Sequence, residues 1–238
     1  MSCTKSLAND KEKRVYGRRT GRPLNQGRLE VMDTVFPEIE ITKDLLTEEG
    51  NRSAADIIGK LTKQTWLEIG FGNGEHLSGL MRRHPDWGFM GAEPFINGMS
   101  AFLKDIENDP HDKIRVLMDD AMMIANSLAE DTLDGIYVLN PDPWHKKRHH
   151  KRRIINQENL ECFARILKPG ADLIMSTDVP DLAEWMFTHA MVHKSFEWTG
   201  STKEDWDKKP EDWITTRYEE KKAKGADKMV YMLFKCKK

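Results

Sequence analysis

Five short apolar runs, spaced by helix-period segments, constrain this chain more than any other feature. The runs are Trp66–Ile69, Gly88–Ala92, Ile114–Met118, Gly135–Leu139 and Ala171–Met175. Between them, Leu77, Leu80 and Met81 share one helical face, as do Ile96, Met99, Leu103 and Ile106, and likewise Leu160, Phe163, Ala164 and Leu167. Such alternation predicts right-handed βαβ units and a parallel sheet covered by helices on both faces. A further helix pattern carries Leu182, Trp185, Met186 and His189, and two more strands are expected at Ser195–Thr199 and Met229–Phe234.

The rest of the chain organises around that core. Residues 1–28 are polar, basic and poor in core residues, and read as a flexible arm. Residues 29–238 read as a single domain, with a helix near Ser53 to Leu61. Ser201 to Lys224 is long, charged and rich in Trp, the mark of a functional or disordered loop. Net charge is −2, so affinity for a polyanion must come from local clusters. There are two. Lys5 to Arg22 has seven Lys/Arg against Asp10 and Glu12, and Lys146 to Arg153 is broken by no acid. Cys3, Cys162 and Cys236 are far apart and form no CxxC pair, which predicts free thiols and no Cys-based metal site. There is no apolar stretch of membrane-spanning length and no signal-peptide core, so a soluble cytoplasmic protein is expected.

The first strand runs into Glu68-Ile69-Gly70-Phe71-Gly72-Asn73-Gly74-Glu75, followed by a helix pattern. Alternate glycines allow a tight turn and close approach of backbone to a ligand. A dinucleotide fingerprint needs a third glycine where Glu75 stands, which argues against NAD. The second strand ends in Glu93, where a carboxylate meets ribose hydroxyls in open α/β sheets. The third ends in Asp119-Asp120, and either acid could accept from an adenine amino group. Gly70, Gly72, Gly74, Glu93 and Asp120 thus suggest a nucleoside cofactor without a pyrophosphate. The plain alternative is a loop that merely turns beside solvent-facing acids.

The fourth strand delivers Asn140-Pro141-Asp142-Pro143-Trp144 to the carboxyl edge of the sheet, where ligands bind in such folds. The prolines stiffen the turn and present Asp142 and Trp144 at low entropic cost. A structural turn could use the same prolines, and a lone Trp is more often core than a stacking platform. Directly after it come six Lys/Arg and three His within nine residues. Charges this dense repel one another unless a polyanion is present.

The E-x-G-x-G-x-G pattern resembles the class I S-adenosylmethionine-dependent methyltransferases. P-D-P-W-x-K-K-R-H-x-K-R-R resembles, more narrowly, the bacterial tRNA (guanine-N7)-methyltransferase family. Arg18-Arg19-Thr20-Gly21-Arg22, Ser176-Thr177-Asp178 and Thr216-Arg217-Tyr218-Glu219 agree with it. The resemblance covers nearly the whole chain, least at residues 29–62 and 200–214. It implies a Rossmann-like, seven-stranded, mostly parallel sheet with an antiparallel edge strand. It implies Glu68, Glu93, Asp120 and Asp142 at S-adenosyl-L-methionine, with Asp142 also catalytic. Lys146, Asp178, Thr216, Arg217, Tyr218 and Glu219 would contact substrate, while Arg148, His149, His150, Lys151, Arg152 and Arg153 would grip RNA. The substrate implied is a guanine of the tRNA variable loop, guanine 46, and no metal, membrane or obligatory protein partner is expected; the protein would act as monomer or homodimer. The family usually carries an aromatic before P-D-P-W, where this chain has Leu139-Asn140.

Guanine N7 carries an in-plane lone pair and no proton, so its methylation needs positioning and electrostatics rather than a general base. Asp142, and with it Asp178, would orient the guanine and offset charge developing on the ring. Two other readings compete. N-P-D-P-W superficially resembles the N-P-P-Y/W signature of methyltransferases acting on exocyclic amines, but Asp142 interrupts the proline pair. A non-catalytic RNA-binding protein on the same scaffold would leave the glycines and four carboxylates without purpose.

Overall fold

The computed structural model describes residues 17–46, 50–220 and 228–238. The expected arm over residues 1–16 and the end of the Ser201 to Lys224 loop therefore lie outside the described residues. In chain order the elements are α1 (Gln26–Thr34), α2 (Phe36–Ile39), α3 (Ala54–Ile58), β1 (Thr65–Ile69), α4 (Glu75–Arg83), β2 (Gly88–Ala92), α5 (Ile96–Ile106) and β3 (Ile114–Leu117). Then follow α6 (Ala121–Ser127), β4 (Leu133–Leu139), α7 (Gln157–Ile166), β5 (Leu167–Thr177), α8 (Pro180–Met191), β6 (Phe196–Trp198), α9 (Arg217–Glu220) and β7 (Val230–Cys236).

The strands form one seven-stranded sheet in the order β3-β2-β1-β4-β5-β7-β6. β1 to β5 pair in parallel, so their carboxyl ends share one edge. The antiparallel pairing is made by β7, which inserts between β5 and the short outermost strand β6. All five residues of β1 are buried, and they alternate between two cores. Leu67 and Ile69 join a cluster with residues of α3, α6, α7 and α8, whereas Trp66 joins one with residues of α1, α2, α4 and α5. A strand apolar on both faces is what a sheet between two helical layers requires.

Local signals set most boundaries. Ser53 caps α3 in a reciprocal box with Asp56, and Gly59, at φ +87°, ends the helix earlier than Leu61. α7 stops before Leu167, the last position of its apolar pattern, because Leu167 pairs with Leu133 and opens β5.

The arm boundary expected at residue 28 is corrected. α1 begins at Gln26 under the Asn25 cap, and residues 17–25 are already bonded to the domain. Ile96 N donates to Arg19 O at 3.0 Å. The Asn97 side chain accepts from Gly21 N and donates to Arg22 O, both at 2.7 Å. Two backbone bonds from one distant asparagine lay this segment across the carboxyl edge of the sheet.

Candidate active site

The loop after β1 turns on three left-handed glycines, with φ of +70° at Gly70, +58° at Gly72 and +79° at Gly74. Among the described residues, a Cβ on Gly70 or Gly72 would meet no atom within 4 Å, whereas one on Gly74 would strike the Phe102 side chain. The first two glycines therefore border open space, and the third packs the loop onto α5. On α5, a Cβ at Gly98 would sit 2.5 Å from Gly72 O, so glycine there lets helix and loop touch. Glu93 ties the same loop from β2. Its Oε2 accepts from Gly72 N at 2.7 Å and its Oε1 from Phe95 N at 2.8 Å.

Burial pushes the Glu93 carboxyl above its ordinary range. The two N–H donors only partly counter this, and the charges of Asp142 and Glu68 raise it further. Asp142 is likewise raised by loss of solvation. Glu68 is buried on β1, 2.9 Å from Nδ1 of His76 on α4, and His76 Nε2 has no hydrogen-bond partner among the described residues. A carboxylate whose proton affinity is raised by two neighbouring carboxylates favours a cationic ligand beside it. An open glycine cradle beside such a cluster fits the methionine and sulfonium part of S-adenosyl-L-methionine.

At the end of β3 the two acids have separate tasks. Asp120 caps α6 by accepting from Met122 N at 2.9 Å. Asp119 accepts from Asp120 N and pairs with Arg19 of the N-terminal segment at 3.2 Å.

The acidic turn is strained at both ends, with left-handed φ of +47° at Asn140 and +46° at Trp144. Asp142, Trp144, Lys146 and His149 line a cavity of about 570 Å³ together with Pro143, His145, Gly17 and Arg18. The last two come from the N-terminal segment, and an ideal Cβ on Gly17 would lie 3.5 Å from Asp142 Oδ2. The basic run forms a 3-10 helix over Lys147–Arg152. Three residues per turn sort its charges onto faces. His149 and Arg152 flank Trp144, with the Arg152 guanidinium 5.0 Å from the ring centre. Arg148 and Lys151 are exposed, and His150 packs edge-on against Trp185.

Arg153, expected to grip RNA, is corrected by its burial: it is 1% exposed. Its Nε donates to Pro143 O at 2.9 Å, its Nη2 pairs with Asp181, and its guanidinium lies 4.9 Å from the Trp185 ring centre. No phosphate reaches a side chain so enclosed.

Asp178, at the end of β5, accepts from the Tyr218 hydroxyl at 3.1 Å, which fastens the late segment to the strand edge. Within that segment Glu219 accepts from Trp213 Nε1 at 3.1 Å, Thr216 N at 3.3 Å and the Tyr231 hydroxyl at 3.1 Å. Arg217 pairs with Glu75 at 3.6 Å, bringing α9 over the N-terminus of α4. The structure thus gathers the glycine loop, Glu68, Glu93 and Asp142 at one edge and fastens Thr216 to Glu219 beside it through Asp178.

Sequence reasoning missed Gly17, Asn97, Gly98 and His76. A glycine inside the Ile96–Ile106 helical pattern is a known sign of close backbone approach and could have found Gly98. Gly17 and Asn97 have no local signal, because their partners are far away in the chain, and His76 meets Glu68 only because loop and helix fold back over β1.

Residues 62–233 match the model of a family described as "Putative methyltransferase", which defines the class. The fold agrees: the 16S rRNA (adenine(1408)-N(1))-methyltransferase from Catenulisporales acidiphilia superposes with a TM-score of 0.51 at 13% identity, over 81% of this chain and 99% of that one. Among curated relatives, a tRNA (guanine-N(7)-)-methyltransferase of Rhodospirillum rubrum is 36% identical over 222 residues, 93% of this chain and 87% of the relative. One from Zymomonas mobilis is 38% identical over 223 residues, 94% of each chain. The chain belongs to the tRNA (guanine-N7)-methyltransferase family.

Proposed function

We propose that this protein methylates N7 of a guanine in the tRNA variable loop, at position 46, and does so in the cytoplasm. The observation that carries the reading is Asp142, presented on a strained, proline-locked turn between the carboxylate-lined glycine cradle and the basic 3-10 helix. When bound, S-adenosyl-L-methionine supplies an electrophilic methyl group. Glu68, Glu93 and Asp142 hold the cofactor by charge, and Gly70 and Gly72 admit it to the backbone; Asp120 marks the adenine end.

Guanine N7 needs no base, so the chain's own contribution is placement and field. Asp142 accepts from guanine N–H donors and offsets positive charge as it develops on the ring. Lys146 in the cavity, and Asp178 with Thr216 to Glu219 at the neighbouring strand end, hold the nucleotide from either side. Arg148 and Lys151 meet backbone phosphates.

The test is transfer of labelled methyl to bulk tRNA, followed by nucleoside analysis. 7-Methylguanosine is the expected product, and methylation of an exocyclic amine instead would refute the reading. An Asp142→Asn variant should lose about a hundred-fold or more in single-turnover rate, on the scale of removing one preorganised electrostatic group. A near wild-type rate would remove Asp142 from the chemistry.

A further inference from the structure

Arg153 ends the basic run, yet it is the one member of the run that solvent does not reach. A buried guanidinium is costly, and an apolar side chain of similar volume would fill the same space without that cost. Phosphate binding does not explain it, because the side chain is enclosed, whereas Arg148 and Lys151 on the 3-10 helix just before it face solvent. What it touches does explain it. Its Nε donates to the carbonyl of Pro143, the residue directly after Asp142, at 2.9 Å. Its Nη2 pairs with Asp181 in the first turn of α8, and its face rests on Trp185 one turn further along that helix.

Trp185 is itself a fixed plate. Its Nε1 donates to Ile155 O at 2.7 Å, and His189 stacks on it at 4.1 Å between ring centres. The opposite end of the chain of contacts is the strained part. Asn140 and Trp144 both hold left-handed backbone that side chains disfavour, and such strain persists only where the surroundings over-determine it. Asn140 N is held by Ser176 O at 2.8 Å on one side of Asp142, and Pro143 O by Arg153 on the other.

We propose that Arg153 is a positioning residue: anchored on α8, it holds the Pro143 carbonyl, fixes the carboxylate of Asp142 in place, and takes no part in gripping RNA. This rests on the methyl-transfer reading above. Lysine cannot take over, since a single ammonium lacks the planar fork that reaches Pro143 and Asp181 while stacking on a ring.

Arg153→Lys and Arg153→Met are to be compared with Arg148→Gln in the full-length protein. The readouts are single-turnover methyl transfer at saturating tRNA and cofactor, tRNA affinity across a salt series, and thermal melting. A displaced carboxylate should lower the Arg153→Lys rate by about ten- to a hundred-fold. Its tRNA affinity should stay within about two-fold, with an unchanged salt slope, whereas Arg148→Gln should make the slope shallower by about 0.7 to 0.9. Arg153→Lys that weakens binding with a shallower slope, or that keeps the wild-type rate, overturns the proposal. Should the Arg153 variants fail to melt cooperatively, Asp181→Asn decides. It loosens the same clamp from its exposed end, so a lower saturated rate at constant salt slope supports the role and an unchanged rate overturns it. Wild-type protein that makes no 7-methylguanosine would instead sink the reaction itself, and the positioning role with it.

Discussion

Replacing Gly70 by alanine separates the fold from the site. Gly70 has φ +70°, and an added Cβ would meet no atom of the described residues within 4 Å. Folding therefore bears only the left-handed backbone, about 1–2 kcal/mol. At about 2–4 °C per kcal/mol for a chain of this size, the melting temperature should fall by about 2–8 °C. The new methyl group projects into the space that S-adenosyl-L-methionine is proposed to fill. A ligand at about 100 times its Kd stabilises by about 2.7 kcal/mol, a shift of about 5–11 °C on the same conversion. Gly70→Ala should lose most of that shift. Gly74→Ala is the converse, because its Cβ would be driven into Phe102. It should destabilise the apo protein by a further ~1–3 kcal/mol from overpacking, while any protein that remains folded still responds to cofactor. Melting curves with and without cofactor, and calorimetry, read both quantities. A Gly70→Ala protein with the wild-type ligand-induced shift would show that the cradle is not where the cofactor lies.

Three further outcomes are expected. Arg148→Gln combined with Lys151→Gln should make the salt dependence of tRNA affinity shallower by about 1.4 to 1.8 in slope, leaving cofactor affinity by calorimetry unchanged. The Glu93 and Asp142 carboxyls are both raised, chiefly by burial. Folding therefore favours their protonated forms, a contribution to apo stability that is present at low pH and lost as pH rises through the raised values. A cationic ligand requires the ionised forms, so cofactor affinity should climb as pH rises through those raised values; a flat titration would refute the charge argument. Tyr218→Phe removes the hydroxyl that bonds Asp178, a tie of about 0.5–1.5 kcal/mol, and should raise the KM for tRNA several-fold more than it shifts melting; an unchanged KM would detach this segment from substrate binding.

The strands were legible because a strand buried on both faces needs an unbroken apolar run, and Gly88–Ala92 even has the boundaries its residues suggest. The glycine loop was legible for a related reason, since left-handed backbone favours glycine and three such positions fall within five residues. β7 was foreseen as a strand, but its insertion between β5 and β6 was not, because pairing order is decided between segments distant in the chain. The same holds for Asn97, which fastens Gly21 and Arg22 from 75 or more residues away.

The basic run shows where the two levels part. Sequence alone settled that Lys146 to Arg153 is cationic and follows a rigid turn carrying Asp142. It presented Arg148, Arg152 and Arg153 as equivalent charges. Tertiary structure made them three different residues: exposed Arg148, Arg152 against Trp144, and Arg153 buried on α8. The reason is geometric. A 3-10 helix turns every three residues, so successive side chains point about 120° apart, and which face meets solvent depends on the Trp185 plate waiting more than thirty residues downstream.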